Sequence, residues 1–109
     1  MSVSLNTSGS VDRSGVASIR GTVTCEQPAF VSLYGSLTQT FARRFTVQGY
    51  GSSGVSCTPP SVPWTMTVSG FNGNRFSAGT ARASINAYGC NNNGCGSDNT
   101  SADVRLRGH

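Results

Sequence analysis

Four cysteines, four carboxylates and a single histidine are what this chain offers for redox, metal or acid–base chemistry. The histidine is His109, the terminal residue. A Ser-His-Asp or Cys-His site needs an imidazole held between partners, and a fraying chain end cannot hold one. The carboxylates are Asp12, Glu26, Asp98 and Asp103. Glycoside hydrolysis requires two carboxyl groups at a fixed separation. Asp12 and Glu26 lie in or beside turns, and Asp98 and Asp103 flank the last apolar run. No catalytic residue is assigned, no cofactor is expected, and the chain reads as a non-enzyme. Asn91, Asn92, Asn93, Asp98, Asn99 and Asp103 would supply oxygen ligands for calcium, but their spacing matches no calcium loop. Asn and Asp also favour turns by bonding their own backbone, so no metal site is assigned.

The cysteines are Cys25, Cys57, Cys90 and Cys95. They form no Cys-x-x-Cys pair, so zinc-ribbon and thioredoxin-type chemistry lack their motif. Of the three possible pairings, Cys25–Cys57 and Cys90–Cys95 fit the spacing best. Cys90 and Cys95 enclose Asn-Asn-Asn-Gly, a turn-forming insert that a local bridge would close. Cys25 and Cys57 each end an apolar-alternating run, as a cross-strand staple would. Loop-closure entropy gives the long bridge roughly 3–4 kcal/mol and the short one about 2 kcal/mol. Both bridges imply an oxidising compartment.

These residues must be positioned by a chain of 109 residues, of which 36% are hydrophobic and 11% charged. That length is one domain, residues 1–109, with a modest core. The net charge is +4. Arg13, Arg20, Arg43, Arg44, Arg75, Arg82, Arg105 and Arg107 are scattered singly or in pairs, whereas nucleic-acid binders cluster their cations; no nucleic-acid partner is expected. No stretch approaches the roughly 18 apolar residues of a membrane span, so membrane insertion is not expected either. Met1 leads directly into polar Ser2, Ser4 and Asn6 without a signal peptide. We therefore expect a secreted, extracellular domain whose leader has been removed.

Strict alternation of apolar and polar residues dominates the chain. The inward sets are Ala17, Ile19, Gly21, Val23 and Cys25; Val31, Leu33 and Leu37; Phe45 and Val47; Val55 and Cys57; Trp64, Met66 and Val68; Ala81, Ala83, Ile85 and Ala87; and Ala102, Val104 and Leu106. Trp64 is expected in the core. Turn signals separate the runs at Ser8–Ser10, Gly51–Gly54, Thr58–Ser61, Asn72–Asn74 and Asn91–Asn99. The pattern predicts an all-β fold: an immunoglobulin-like, two-sheet antiparallel β-sandwich of seven to eight strands with two disulfides. Trp64 follows both Cys25 and Cys57, so the immunoglobulin order Cys…Trp…Cys is not met. Residues 1–15 are polar enough to be mobile or to add an edge strand.

Phe30, Tyr34, Tyr50, Phe71 and Tyr88 do not all fit the core pattern. Tyr34 and Tyr88 fall on the outward sets of their strands, where they would stack on sugar rings or contact a protein. Covering a sheet face by cross-strand pairing is the competing reading. The loop Gly89–Thr100, with Asn91, Asn92 and Asn93 braced by Cys90–Cys95, is a second candidate surface, with Tyr88 and Arg105 as neighbours. Loops on a stiff scaffold carry binding residues, and Tyr and Arg commonly anchor interfaces.

Gly21-Thr22-Val23-Thr24-Cys25, Leu37-Thr38-Gln39, Gly54-Val55-Ser56-Cys57, Trp64-Thr65, Phe76-Ser77-Ala78-Gly79-Thr80-Ala81 and Asp103-Val104-Arg105-Leu106 together resemble a family of small secreted actinobacterial domains of unknown function. This resemblance runs from about Gly9 to Gly108 and implies secretion and a β-sandwich, with no activity. The short Cys90–Cys95 insert is also similar to that of the neocarzinostatin-type apo-chromoproteins. In those proteins the second bridge is short as well, unlike Cys25–Cys57. The leading expectation is a non-catalytic extracellular module that binds a protein partner, as an adaptor within a secreted complex. The alternative is a module that binds carbohydrate or a small ligand. Outward aromatics in one row would indicate sugar; an open edge strand or an apolar loop patch would indicate protein.

Overall fold

Ala81, Ala83, Ile85 and Ala87 are buried, while Arg82, Asn86 and Tyr88 between them stand in solvent. A strand sends successive side chains to opposite faces, so each run of this kind buries one face and wets the other. A computed structural model describes residues 2–41, 45–70, 74–91 and 94–108, with the backbone alone described at Phe41 and Asn91. The described residues form strands and no helix. In chain order the strands are β1 (Ser2–Leu5), β2 (Ser8–Val11), β3 (Ala17–Thr24), β4 (Ala29–Phe41), β5 (Phe45–Cys57), β6 (Ser61–Gly70), β7 (Gly79–Asn91) and β8 (Gly94–Gly108).

All eight join one hydrogen-bonded sheet in the order β1-β3-β2-β8-β7-β4-β5-β6, and a ladder between β3 and β6 closes it. The closed circuit is a barrel of seven strands, with β1 laid on the part of the β3 edge that β2 leaves free. This corrects the expected immunoglobulin-like pair of antiparallel sheets. β6 stays with β5 only over Gly49↔Gly70 and Tyr50↔Ser69, and pairs with β3 from Thr24↔Ser61 to Ala17↔Val68. On the other side β2 ties β3 to β8, the latter by a parallel ladder from Ser8↔Arg105 to Val11↔Gly108. Alternation reports which face of a strand is buried, not which strand lies beside it. A barrel and a sandwich bury the same face.

Residues 1–15, expected to be mobile or an edge, divide between two roles. Ser2–Leu5 is an edge strand whose ladder partner is β3, whereas Ser8–Val11 is paired on both sides inside the barrel wall. Three expected turns, at Ser8–Ser10, Gly51–Gly54 and much of Asn91–Asn99, are also strand. Gly51 faces inward, and a Cβ there would lie 3.0 Å from Met66 Cγ and 3.1 Å from Val68 Cγ2. Its missing side chain makes room for the core and does not signal a turn.

The core includes Trp64, Met66 and Val68 of β6 together with Leu33, Leu37 and Ile85. Gly35 lets them meet, since a Cβ there would come within 2.7 Å of Met66 Sδ and 2.8 Å of Ile85 Cδ1. The Trp64 indole donates to the Ser4 carbonyl at 3.2 Å, so the one polar atom of this buried ring also holds β1 in place. Both expected disulfides are present. Cys25–Cys57 is buried and joins the end of β3 to the end of β5, where β5 and β6 have parted. Cys90–Cys95 links two residues directly opposite each other in the β7–β8 ladder and is exposed on the outer face. Two disulfides suggest an oxidising environment.

Candidate binding face

The outer face of β7, β4 and β5 is the part of the surface where large rings gather. Two ladders fix their places. Tyr88 of β7 stands opposite Ser32 of β4, and Tyr34 lies two residues further along β4. Tyr50 of β5 stands opposite Ser36, two residues beyond Tyr34. All three rings point outward because their strands bury the alternate positions Ala87, Leu33 and Val47. Tyr34 is 59% exposed, Tyr50 67% and Tyr88 53%. Phe30, 61% exposed, is on the same face but leans over Gly54, with its Cζ 2.9 Å from where a Gly54 Cβ would be. It covers a glycine in a neighbouring strand, a familiar compensation for the side chain glycine lacks.

Between the tyrosines the outward positions hold small polar groups: Ser32 and Ser36 on β4, Ser52 on β5, Ser84 and Asn86 on β7. No charged residue occupies the outward positions of β4 from Phe30 to Thr38, of β5 from Gln48 to Ser56, or of β7 from Ser84 to Cys90. The first charges along the ladder, Arg82 and Asp103, are exposed cross-strand partners at 3.5 Å. Such a face offers ring surfaces for stacking and hydroxyl and amide groups for hydrogen bonding. These outward positions carry no carboxylate and no imidazole.

The residues singled out from sequence separate in space. Tyr34 and Tyr88 come together as diagonal neighbours across β4 and β7. Arg105 does not join them: it faces Thr80 at the far end of the β7–β8 ladder, roughly 27 Å from the Tyr88↔Ser97 pair at strand spacing. The expected binding loop Gly89–Thr100 is mostly ladder, with Asn91 opposite Gly94 at its tip. Asn92, Asn93 and His109 lie outside the described residues. Tyr50 belongs to the site although its strand was read as two shorter runs; the signal was its parity, opposite to that of Val47.

The three aspartates each have separate partners. Asp12 Oδ1 accepts from Ser14 N–H at 2.8 Å and Val16 N–H at 3.0 Å, which shapes the β2–β3 turn. Asp98 Oδ2 accepts from Val3 N–H at 2.8 Å and so links β8 to β1. Asp103 faces outward beside Arg82. Asp98 and Asp103 therefore sit on opposite faces of β8, which divides the oxygen cluster considered for calcium. Among the described residues no three His, Cys, Asp or Glu side chains converge as metal ligands, and no helix is long and apolar enough to cross a membrane. Compared with protein-family models and with curated proteins, the chain matches none.

Proposed function

We propose that this domain is a non-catalytic, secreted carbohydrate-binding module whose ligand rests on the outer face of β7, β4 and β5. The observation that carries the reading is the row Tyr88, Tyr34 and Tyr50 on an uncharged surface of serines and asparagine. Sugars present apolar C–H faces and a polar rim. An aromatic ring covers the first, and hydroxyl or amide groups meet the second. The absence of cations along the row disfavours a polyanion, which needs neutralising charge. Electrophoresis through gels containing neutral polysaccharides tests the proposal. At least one polymer should retard the protein, and Tyr34→Ala should remove the retardation with little change in melting temperature. If no neutral polysaccharide retards the native protein, the proposal fails.

A protein partner is a second reading, favoured by one separate feature. Beyond Tyr50, β5 has β4 as its ladder partner while β6 has turned to β3. The edge Ser52–Ser56 is thus placed to accept an added strand. On that reading, a partner would protect the amides of Ser52–Ser56 from hydrogen exchange and leave the tyrosine row untouched.

A further inference from the structure

We infer that the ligand is a straight, extended neutral polysaccharide laid obliquely across three strands, not a coiled or branched glycan; this rests on the carbohydrate reading of the face. The ladders fix the geometry. From Tyr88 to Tyr34 the step is one strand across and two residues along, since Tyr88 faces Ser32. From Tyr34 to Tyr50 the step is again one strand across and two residues along, in the same sense, since Tyr50 faces Ser36. Two equal steps in one direction make a line. Diagonal neighbours in an antiparallel sheet are about 7–8 Å apart, so the row is about 15 Å from end to end.

A straight polymer whose sugar faces recur along its axis can lie on all three rings at once. A chain that coils leaves the line after the first or second ring. Each ring occupied after the first acts on a ligand already held, so affinity should climb with chain length until the row is filled. No described strand crosses over this face, since β4 lies between β5 and β7 in the sheet. A long chain can therefore run past both ends of the row. Phe30 stands off the line, two residues from Ser32 on the side away from Tyr34, with its ring on Gly54.

Titration calorimetry with two length series, β-1,4-linked and α-1,4-linked neutral oligosaccharides, tests this. For the β-1,4 series, affinity should rise with length and then level off. At the plateau Tyr34→Ala should weaken binding by about tenfold or more, the loss typical of an interface anchor. Tyr50→Ala should bring the plateau to shorter chains, and Phe30→Ala should leave the length profile unchanged. The α-1,4 series should bind about tenfold more weakly or worse at equal length. Equal affinity for the two series, no dependence on length, or a loss with Phe30→Ala as large as with Tyr34→Ala would overturn the straight-chain inference while the carbohydrate reading stood. Binding to neither these series nor any gel-borne neutral polysaccharide would overturn both. So would a concentration-dependent dimer in sedimentation that Tyr34→Ala dissolves, because it would assign the face to a second copy of the chain.

Discussion

The side-chain amide of Gln39 and the backbone of Ser77 exchange two hydrogen bonds: Nε2 donates to the Ser77 carbonyl at 2.8 Å, and Ser77 N–H donates to Oε1 at 2.9 Å. Gln39 occupies an inward position of β4 and is buried among apolar residues. Its amide imitates the backbone of a neighbouring strand and pins the segment that leads into β7. That segment carries Phe76, which is buried in the core and whose N–H donates to the Gly15 carbonyl at 3.0 Å. One polar side chain thus fastens the segment that delivers Phe76 to the core.

Replacing Gln39 by Leu keeps the volume but removes both partners of Ser77. Ser77 is itself exposed, so water can meet its freed groups, and the loss is that of two ordinary hydrogen bonds at about 0.5–1.5 kcal/mol each. We expect Gln39→Leu to lower unfolding free energy by about 1–2 kcal/mol in urea titration. A loss below about 0.5 kcal/mol, the range of an ordinary surface change, would mean that water replaces the amide without penalty.

Glycines give a matched pair of tests. A Cβ at Gly21 would meet the Ser4 carbonyl and the Trp64 ring, with 2.8 Å to both Cζ2 and Nε1. The carbonyl is backbone and the indole is buried, so neither yields easily. Overpacking of this kind costs about 1–3 kcal/mol, and Gly21→Ala should fall in or above that range. Gly96 has nothing within 4 Å of a Cβ, and Gly96→Ala should stay within about 0.5 kcal/mol of the parent. Thermal denaturation of the two variants side by side decides it; equal melting temperatures would contradict the packing described.

How much of this was legible in the residues follows from what alternation encodes. Val31, Leu33 and Leu37 against Ser32, Tyr34 and Ser36 identify the buried face of β4, and with it the outward placement of Tyr34. The same parity exposes Tyr88. The row itself was not legible, because Tyr50 meets Tyr34 through the β4–β5 register, and Gly51 to Gly54 read as a turn that would have ended the strand. Arg105 was assigned to the wrong neighbourhood for a related reason. The Asn- and Gly-rich stretch before it reads as a loop, yet it is drawn into β8 by the Cys90–Cys95 bridge and the ladder that continues to Ile85↔Thr100. Barrel closure depends on β3–β6 and β2–β8 pairing between segments far apart in the chain, and local pattern carries no record of partners that distant.

Asp12 offers a local test of turn chemistry. Its carboxylate accepts from two backbone N–H groups in the Asp12–Val16 turn, where Gly15 takes φ of +82°. A left-handed conformation suits glycine because it has no Cβ to clash. Asp12→Ala removes the oxygen that accepts both hydrogen bonds in an exposed turn and should cost about 1 kcal/mol. The nearby Ser10↔Ser18 and Val11↔Ala17 pairs of the barrel wall should then exchange amide protons faster than β7. Unchanged exchange at Val11 and Ala17 would show that the ladder, not the carboxylate, sets this turn.

The two disulfides should differ in what their loss does. Cys25–Cys57 closes a span of 32 residues and ties β3 to β5 after β6 has left β5. Cys90–Cys95 closes a span of 5 residues already paired in a ladder. Loop-closure entropy alone ranks them at roughly 3–4 and about 2 kcal/mol. The ladder around Cys90 and Cys95 already restricts that segment in the folded state but not in the unfolded chain, so the ranking should survive. Cys25→Ala/Cys57→Ala should therefore melt at clearly lower temperature than Cys90→Ser/Cys95→Ser. The effects should also differ in place. Without the buried bridge, the end of β5 keeps only β4 beside it, and amides of Gly51–Cys57 should exchange faster while those of Val47 and Gln48 stay protected. Without the exposed bridge, the β7–β8 tip should loosen while Ser84–Tyr88 and the tyrosine row keep their register, so any glycan binding is retained. A variant pair that melts in the opposite order would show that packing around Cys25 and Cys57, not the covalent link, holds β3 and β5 together.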